Sequence, residues 1–90
     1  MKGGLDSNMI LTEVYIPAIN KKYDFRLDEN AYIADVIWEI GNMVFIKDNN
    51  KNIGLIENLI LCDYSTKIVF SLQRTLKDYG VSSGTCLTLI

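Results

Sequence analysis

The first strand-like run is Met9 to Ile16, rich in β-branched and aromatic residues. A period of two sets Ile10, Thr12, Val14 and Ile16 on one side, read as the core face, and Met9, Leu11, Glu13 and Tyr15 on the other. Pro17 cannot donate to a ladder, so the strand ends there and residues 17–22 turn the chain. Tyr23, Phe25 and Leu27 then alternate with Asp24, Arg26 and Asp28, which predicts a half-buried second strand and a hairpin with Phe25 in its core. The period next changes to helical: Ile33, Val36, Ile37, Ile40 and Val44 trace one apolar stripe, with Asp28 or Asn30 as candidate cap. Trp38 lies off that stripe, on a narrower strip with Ala34 and Phe45.

A polar, turn-rich segment at 47–52 reads as a loop, followed by a buried connection and a strand at about Leu59 to Tyr64. Ser65 and Thr66 turn the chain into a short strand, Lys67 to Phe70, whose lysine suits an edge. Thr75 to Gly80 is a short helical turn that Gly80 can end cheaply at positive φ. Cys86 to Ile90 is a last strand, with Leu87 and Leu89 on the core face and Cys86, Thr88 and Ile90 on the other. Residues 1–8 carry paired glycines and no periodicity, and are expected to be a disordered leader or a non-native remnant outside the domain at 9–90. The order ββαβββ, one helix across a mixed sheet, fits a β-grasp α+β domain as well as other small α+β folds.

The closing residues decide between them. Thr75, Leu76, Asp78, Tyr79, Gly80, Val81, Leu87, Leu89 and Ile90 resemble the end of ubiquitin-like proteins, in which a Thr-Leu-x-Asp-Tyr turn leads into a strand of alternating leucines. The resemblance implies that the Tyr79 ring packs beneath its loop with its hydroxyl bonded to backbone, and that Leu76, Leu87 and Leu89, with Ile37 of the helix, are structural. Ile10 to Ile40, with the LILC run at 59–62 and the closing stretch, is similar to the YukD group (YukD/EsaB-like), small bacterial ubiquitin-like proteins associated with type VII, or WXG-type, secretion. That resemblance implies a cytoplasmic accessory protein working beside a membrane-bound secretion machine. Ubiquitin and the sulfur carriers of this fold continue into a Gly-Gly tail. The present sequence stops at Ile90, which is expected to disfavour modifier or carrier chemistry.

Composition narrows the chemistry. With 90 residues, 49% hydrophobic and 22% charged, the chain suits one globular domain with a single core. No apolar run reaches the roughly 18 to 20 residues of a membrane span, so no direct membrane insertion is expected. A net charge of −2 and scattered lysines give no basic stripe, and nucleic acid is not an expected partner. There is no histidine, hence no imidazole base, and Cys62 and Cys86 lack metal-ligand spacing; no cofactor, metal or catalytic residue is expected. Both thiols are expected reduced, in a cytoplasmic protein.

What remains is recognition of a protein partner. By resemblance to ubiquitin's docking patch, Ile60, Thr88 and Ile90 form one candidate partner-binding surface, against the reading that this face is covered by loops or by a second copy; a homodimer stays open. The strip carrying Trp38 and Phe45 is the second, against the reading that the tryptophan packs under residues 46–58. The function expected is a non-enzymatic adaptor binding a cytosolic part of a type VII secretion system. The alternatives are a ubiquitin-like modifier or sulfur carrier, or a toxin- or immunity-associated partner.

Overall fold

The computed structural model describes residues 8–48 and 56–90. The expected leader, apart from Asn8, and most of the expected loop at 47–52 lie outside these residues, as do Ile53, Gly54 and Leu55.

Four strands, β1 (Met9–Ile16), β2 (Lys21–Asp28), β3 (Leu61–Asp63) and β4 (Cys86–Leu89), form one sheet in the order β2-β1-β4-β3. The β1–β2 hairpin is antiparallel, β1 and β4 run parallel, and β3 and β4 are antiparallel. One long helix, α1 (Ile33–Asp48), packs across one face. This is the β-grasp arrangement.

The hairpin follows its sequence closely. Pro17 opens a short 3-10 turn, and Asn20 closes it at φ 52°, a left-handed conformation that asparagine tolerates better than most residues. Ile10, Thr12, Val14 and Ile16 are all buried, so the expected core face of β1 is the observed one. The helical stripe is likewise buried at Ile33, Val36, Ile37, Ile40 and Val44. Gly41 lies on the same side, where a Cβ would come within 3.0 Å of the Ile56 side chain. The bare backbone there lets the 3-10 turn Ile56–Asn58 approach the helix.

Two local expectations need correction. Neither Asp28 nor Asn30 caps the helix: Asp28 Oδ1 accepts from the Asn30 N–H at 2.9 Å, and the helix begins three residues later. Its first N–H groups find carbonyls from a distant segment instead, Ile33 donating to Arg74 at 2.8 Å and Ala34 to Leu72 at 3.2 Å. Tertiary structure thus satisfies the orphan donors of a helix start. The segment Lys67–Phe70, expected as a strand, is reduced to an isolated bridge between Cys62 and Val69. Lys67 takes a φ of 66°, which breaks extended geometry at the segment's first residue. Phe70 still donates to the Leu61 carbonyl at 2.9 Å, and Asp63 to that of Ile68 at 3.0 Å, so the segment flanks β3.

The turn before β4 matches its expectation. The Tyr79 ring stacks on buried Phe70 with centroids 4.4 Å apart, and its hydroxyl accepts the Ser71 N–H at 2.8 Å. Thr75 and Asp78 bond each other reciprocally, Thr75 N–H to Asp78 Oδ2 and Asp78 N–H to Thr75 Oγ1. Gly80 ends the turn at φ 71°. Leu76, Leu87 and Leu89 have no exposure at all, and Phe25 and Ile37 belong to the same core.

Candidate functional site

The helix covers one face of the sheet; the other carries the first candidate surface. In β4, Leu87 and Leu89 point to the core, so Cys86, Thr88 and Ile90 point outward, and Ile60, Cys62 and Tyr64 do the same beside them. Ile60 and Ile90 extend the β3–β4 ladder by exchanging both backbone hydrogen bonds, Ile60 N–H to Ile90 carbonyl and the reverse. Residues paired in that way carry their side chains next to each other on one face. They are 43% and 52% exposed, an apolar pair facing solvent.

Thr88 departs from the expectation. Although outward, it is 9% exposed, and its Oγ1 is buried without a hydrogen-bond partner. The cause is position: β4 is a central strand, and Thr88 lies in register between Tyr15 on one side and Cys62 on the other. It therefore offers little contact area. The surface that sequence reasoning missed lies along β3, where the Tyr64 ring meets Tyr15 edge-on at 6.2 Å and Lys67 Nζ sits 4.7 Å from the Tyr64 centroid. Val69, opposite Cys62 and 58% exposed, adds apolar area. Tyr64 and Val69 could be called outward from alternation alone, but their place on the same sheet face as Ile60 and Ile90 depends on strand order.

The second surface is on the opposite side of the molecule, on the solvent side of α1. Trp38 is 56% exposed, so it is not packed away, although Ile56 of the expected covering segment lines the same cavity. Trp38 and Ala34 line a shallow, open cavity of about 200 Å³ together with Ile37, Ile56, Glu57, Leu59 and Leu72. Phe45, also exposed, is not part of that cavity. The five sequence-predicted partner residues thus fall on two separate surfaces, with Thr88 nearly covered.

Nucleophilic chemistry gains no support from the thiols. Both are free, so the two cysteines are not bridged. Burial pushes the Cys62 thiol up, and burial together with the Glu13 carboxylate does the same to Cys86, which leaves less thiolate at neutral pH. Among the described residues no group of three or more cysteine, aspartate or glutamate side chains could hold a metal ion, and no helix is long and apolar enough to cross a membrane.

No model of a known family matches the sequence, and no curated protein does either. Solved structures do. The N-terminal ubiquitin-like domain of the 4931431F19Rik protein superposes with a TM-score of 0.73 at 19% identity, covering 93% of this chain and 75% of that one. The fold is ubiquitin-like. A ubiquitin-like domain from an Arabidopsis thaliana protein matches at TM-score 0.68 and 18% identity over 92% of this chain and 77% of its own. The UBL domain of Plasmodium falciparum Dsk2 matches at 0.71 and 14% identity over 90% and 95%. At these identities the likeness is one of architecture.

Proposed function

We propose that the domain is a non-enzymatic ubiquitin-like adaptor that binds a cytosolic component of a bacterial type VII secretion system through the outer face of its sheet. The observation that carries the binding surface is the Ile60–Ile90 pair, two adjacent isoleucines held about half exposed on a rigid ladder. Exposed apolar side chains next to each other are a cost in water that a partner removes. Tyr64 and Val69 enlarge that patch, and Lys67 supplies a charge at its rim. The choice of secretion system is supported by the sequence resemblance to the YukD group and implies a cytoplasmic location.

The test is capture of secretion-machine components from the cell of origin by wild type, Ile60→Asp and Ile90→Asp proteins. Both substitutions are at exposed positions, so the melting temperature should hold within a few degrees while capture is lost. Unchanged capture sinks the patch assignment. Adenylation of the C-terminus by an activating enzyme would instead favour the modifier or carrier reading, and capture of a toxin alone the third.

A further inference from the structure

The sheet has one long open edge among the described residues. With strand order β2-β1-β4-β3, the β3 side is flanked by Lys67–Phe70, whereas all eight residues of β2 border no other strand on their far side. Glu29 donates to the Asn8 carbonyl at 2.9 Å, continuing the β1–β2 ladder by one pair. Backbone direction alternates along an antiparallel strand, so if odd-numbered residues face β1, the N–H and C=O groups of Lys22, Asp24, Arg26 and Asp28 point to the open edge. The Asp28 carbonyl also accepts the Ala31 N–H at 3.1 Å; a carbonyl has a second lone pair. The side chains of these same four residues are exposed, on the face away from the helix.

Their charges run plus, minus, plus, minus. Charged residues on an edge ordinarily discourage pairing with another chain. Here the alternation of sign makes a strand of complementary alternation the exception. We propose that β2 pairs antiparallel with β2 of a second copy of this chain, with Phe25 opposite Phe25, to make a continuous eight-stranded sheet. In that register Asp24 of each copy faces Arg26 of the other, and Lys22 faces Asp28. Every outward pair is an attraction, and the backbone groups on the far side of β2 belong to these paired residues. A slip of two residues in one direction sets Asp24 against Asp24 and Lys22 against Arg26. A slip in the other direction sets Arg26 against Arg26 and Asp24 against Asp28. Both neighbouring registers that keep the same face outward are repulsive, and slips of four residues restore attraction only over a shorter overlap, so the charge pattern favours the central register. On the inner face Phe25 and Leu27 remain in each copy's own core.

The geometry has a consequence for recognition. β2 and β3 are at opposite edges, and a two-fold axis perpendicular to the sheet keeps the outer faces of both copies on one side. The dimer would present two Ile60–Ile90 pairs on one surface, at its far ends, and a divalent partner would gain by avidity. The pairing itself does not rest on the adaptor reading and is tested without any partner.

Sedimentation velocity on the wild type across a concentration series at low salt should show a reversible dimer, weakened by added salt as exposed charge pairs are. Asp24→Arg and Arg26→Asp each turn two attractions into repulsions, and either should weaken the dimer by about tenfold or more. The double variant Asp24→Arg/Arg26→Asp restores opposite charges across the two-fold and should recover the dimer, which a merely structural defect would not do. Amide exchange at Asp24 and Arg26 should slow as wild-type concentration rises. A wild type that stays monomeric to about 1 mM, a dimer indifferent to both single reversals, or a double variant no better than the singles would each overturn the proposal.

Discussion

Replacing Tyr79 with phenylalanine removes one oxygen and leaves the stacked ring in place. That oxygen accepts the Ser71 N–H at 2.8 Å and holds the 71–74 segment against the turn before β4. The carbonyls of Leu72 and Arg74 in that segment receive the first N–H groups of α1. Ser71 is exposed, so water can take the freed N–H, and the loss should be that of an ordinary hydrogen bond, about 1 kcal/mol. For a domain of this size that is a fall in melting temperature of roughly 4 to 8 °C. Tyr79→Ala also removes the stack on Phe70 and the apolar area of a half-buried ring, for a total of about 2 to 3 kcal/mol. Urea unfolding followed by circular dichroism reads both, with the slope m held constant as the check on two-state behaviour. The Tyr79→Phe variant should also show faster amide exchange at Ser71, Ile33 and Ala34. If it unfolds at the wild-type midpoint, or if it costs as much as Tyr79→Ala, the hydroxyl does not do what its geometry indicates.

Two further expectations are simple to check. The Thr75 backbone N–H, chiefly, holds the Asp78 carboxyl below the usual aspartate range. A lowered folded pKa adds stability above the unfolded value and loses it as pH falls through the folded one; the gap in urea midpoint between wild type and Asp78→Asn should therefore be open at neutral pH and close in acid below the ordinary aspartate range. A gap that persists unchanged in acid would remove the carboxylate as its cause. Trp38, more than half exposed and the only tryptophan, should emit at long wavelength and be readily quenched by acrylamide; a blue-shifted, protected emission would show that it is covered in solution.

How much of this was legible in the sequence depends on what each feature required. Period and composition sufficed for the hairpin, the buried stripe of α1 and the Leu87–Leu89 strand, because one buried face imposes its period on the residues themselves. The helix start was misplaced because Asp28 and Asn30 are the residue types that cap helices, and nothing local reveals that carbonyls some forty residues away occupy the same donors. The Lys67–Phe70 segment has the apolar residues of a strand, but Lys67 in the left-handed region follows a tight turn in which Asp63 Oδ1 accepts the N–H groups of Ser65 and Thr66. At the candidate site, alternation was enough to send Thr88 and Ile90 outward, and the resemblance to ubiquitin's docking patch added Ile60. It could not separate a central strand, where neighbours on both sides nearly cover Thr88, from the ladder's end, where Ile60 and Ile90 stay open.

The closing stretch does more than complete the sheet. Thr75 forms a bridge with Tyr32 at the foot of α1, Lys77 donates to the Glu29 carbonyl at 2.9 Å, and Leu76 and Val81 enter the core. Residues 71–81 therefore tie the start of the helix to the last strand. Helix nucleation is unfavourable in isolation, and α1 has its first donors met only when this segment is in place. The helix start and the C-terminal turn should consequently gain protection together. The proposed binding surfaces lie outside this junction: Ile60 and Ile90 at the end of the β3–β4 ladder, and the charged residues of β2 at the opposite edge. Substitutions at those positions leave intact the contacts that hold the fold, so a loss of the proposed binding there can be read apart from a loss of folding.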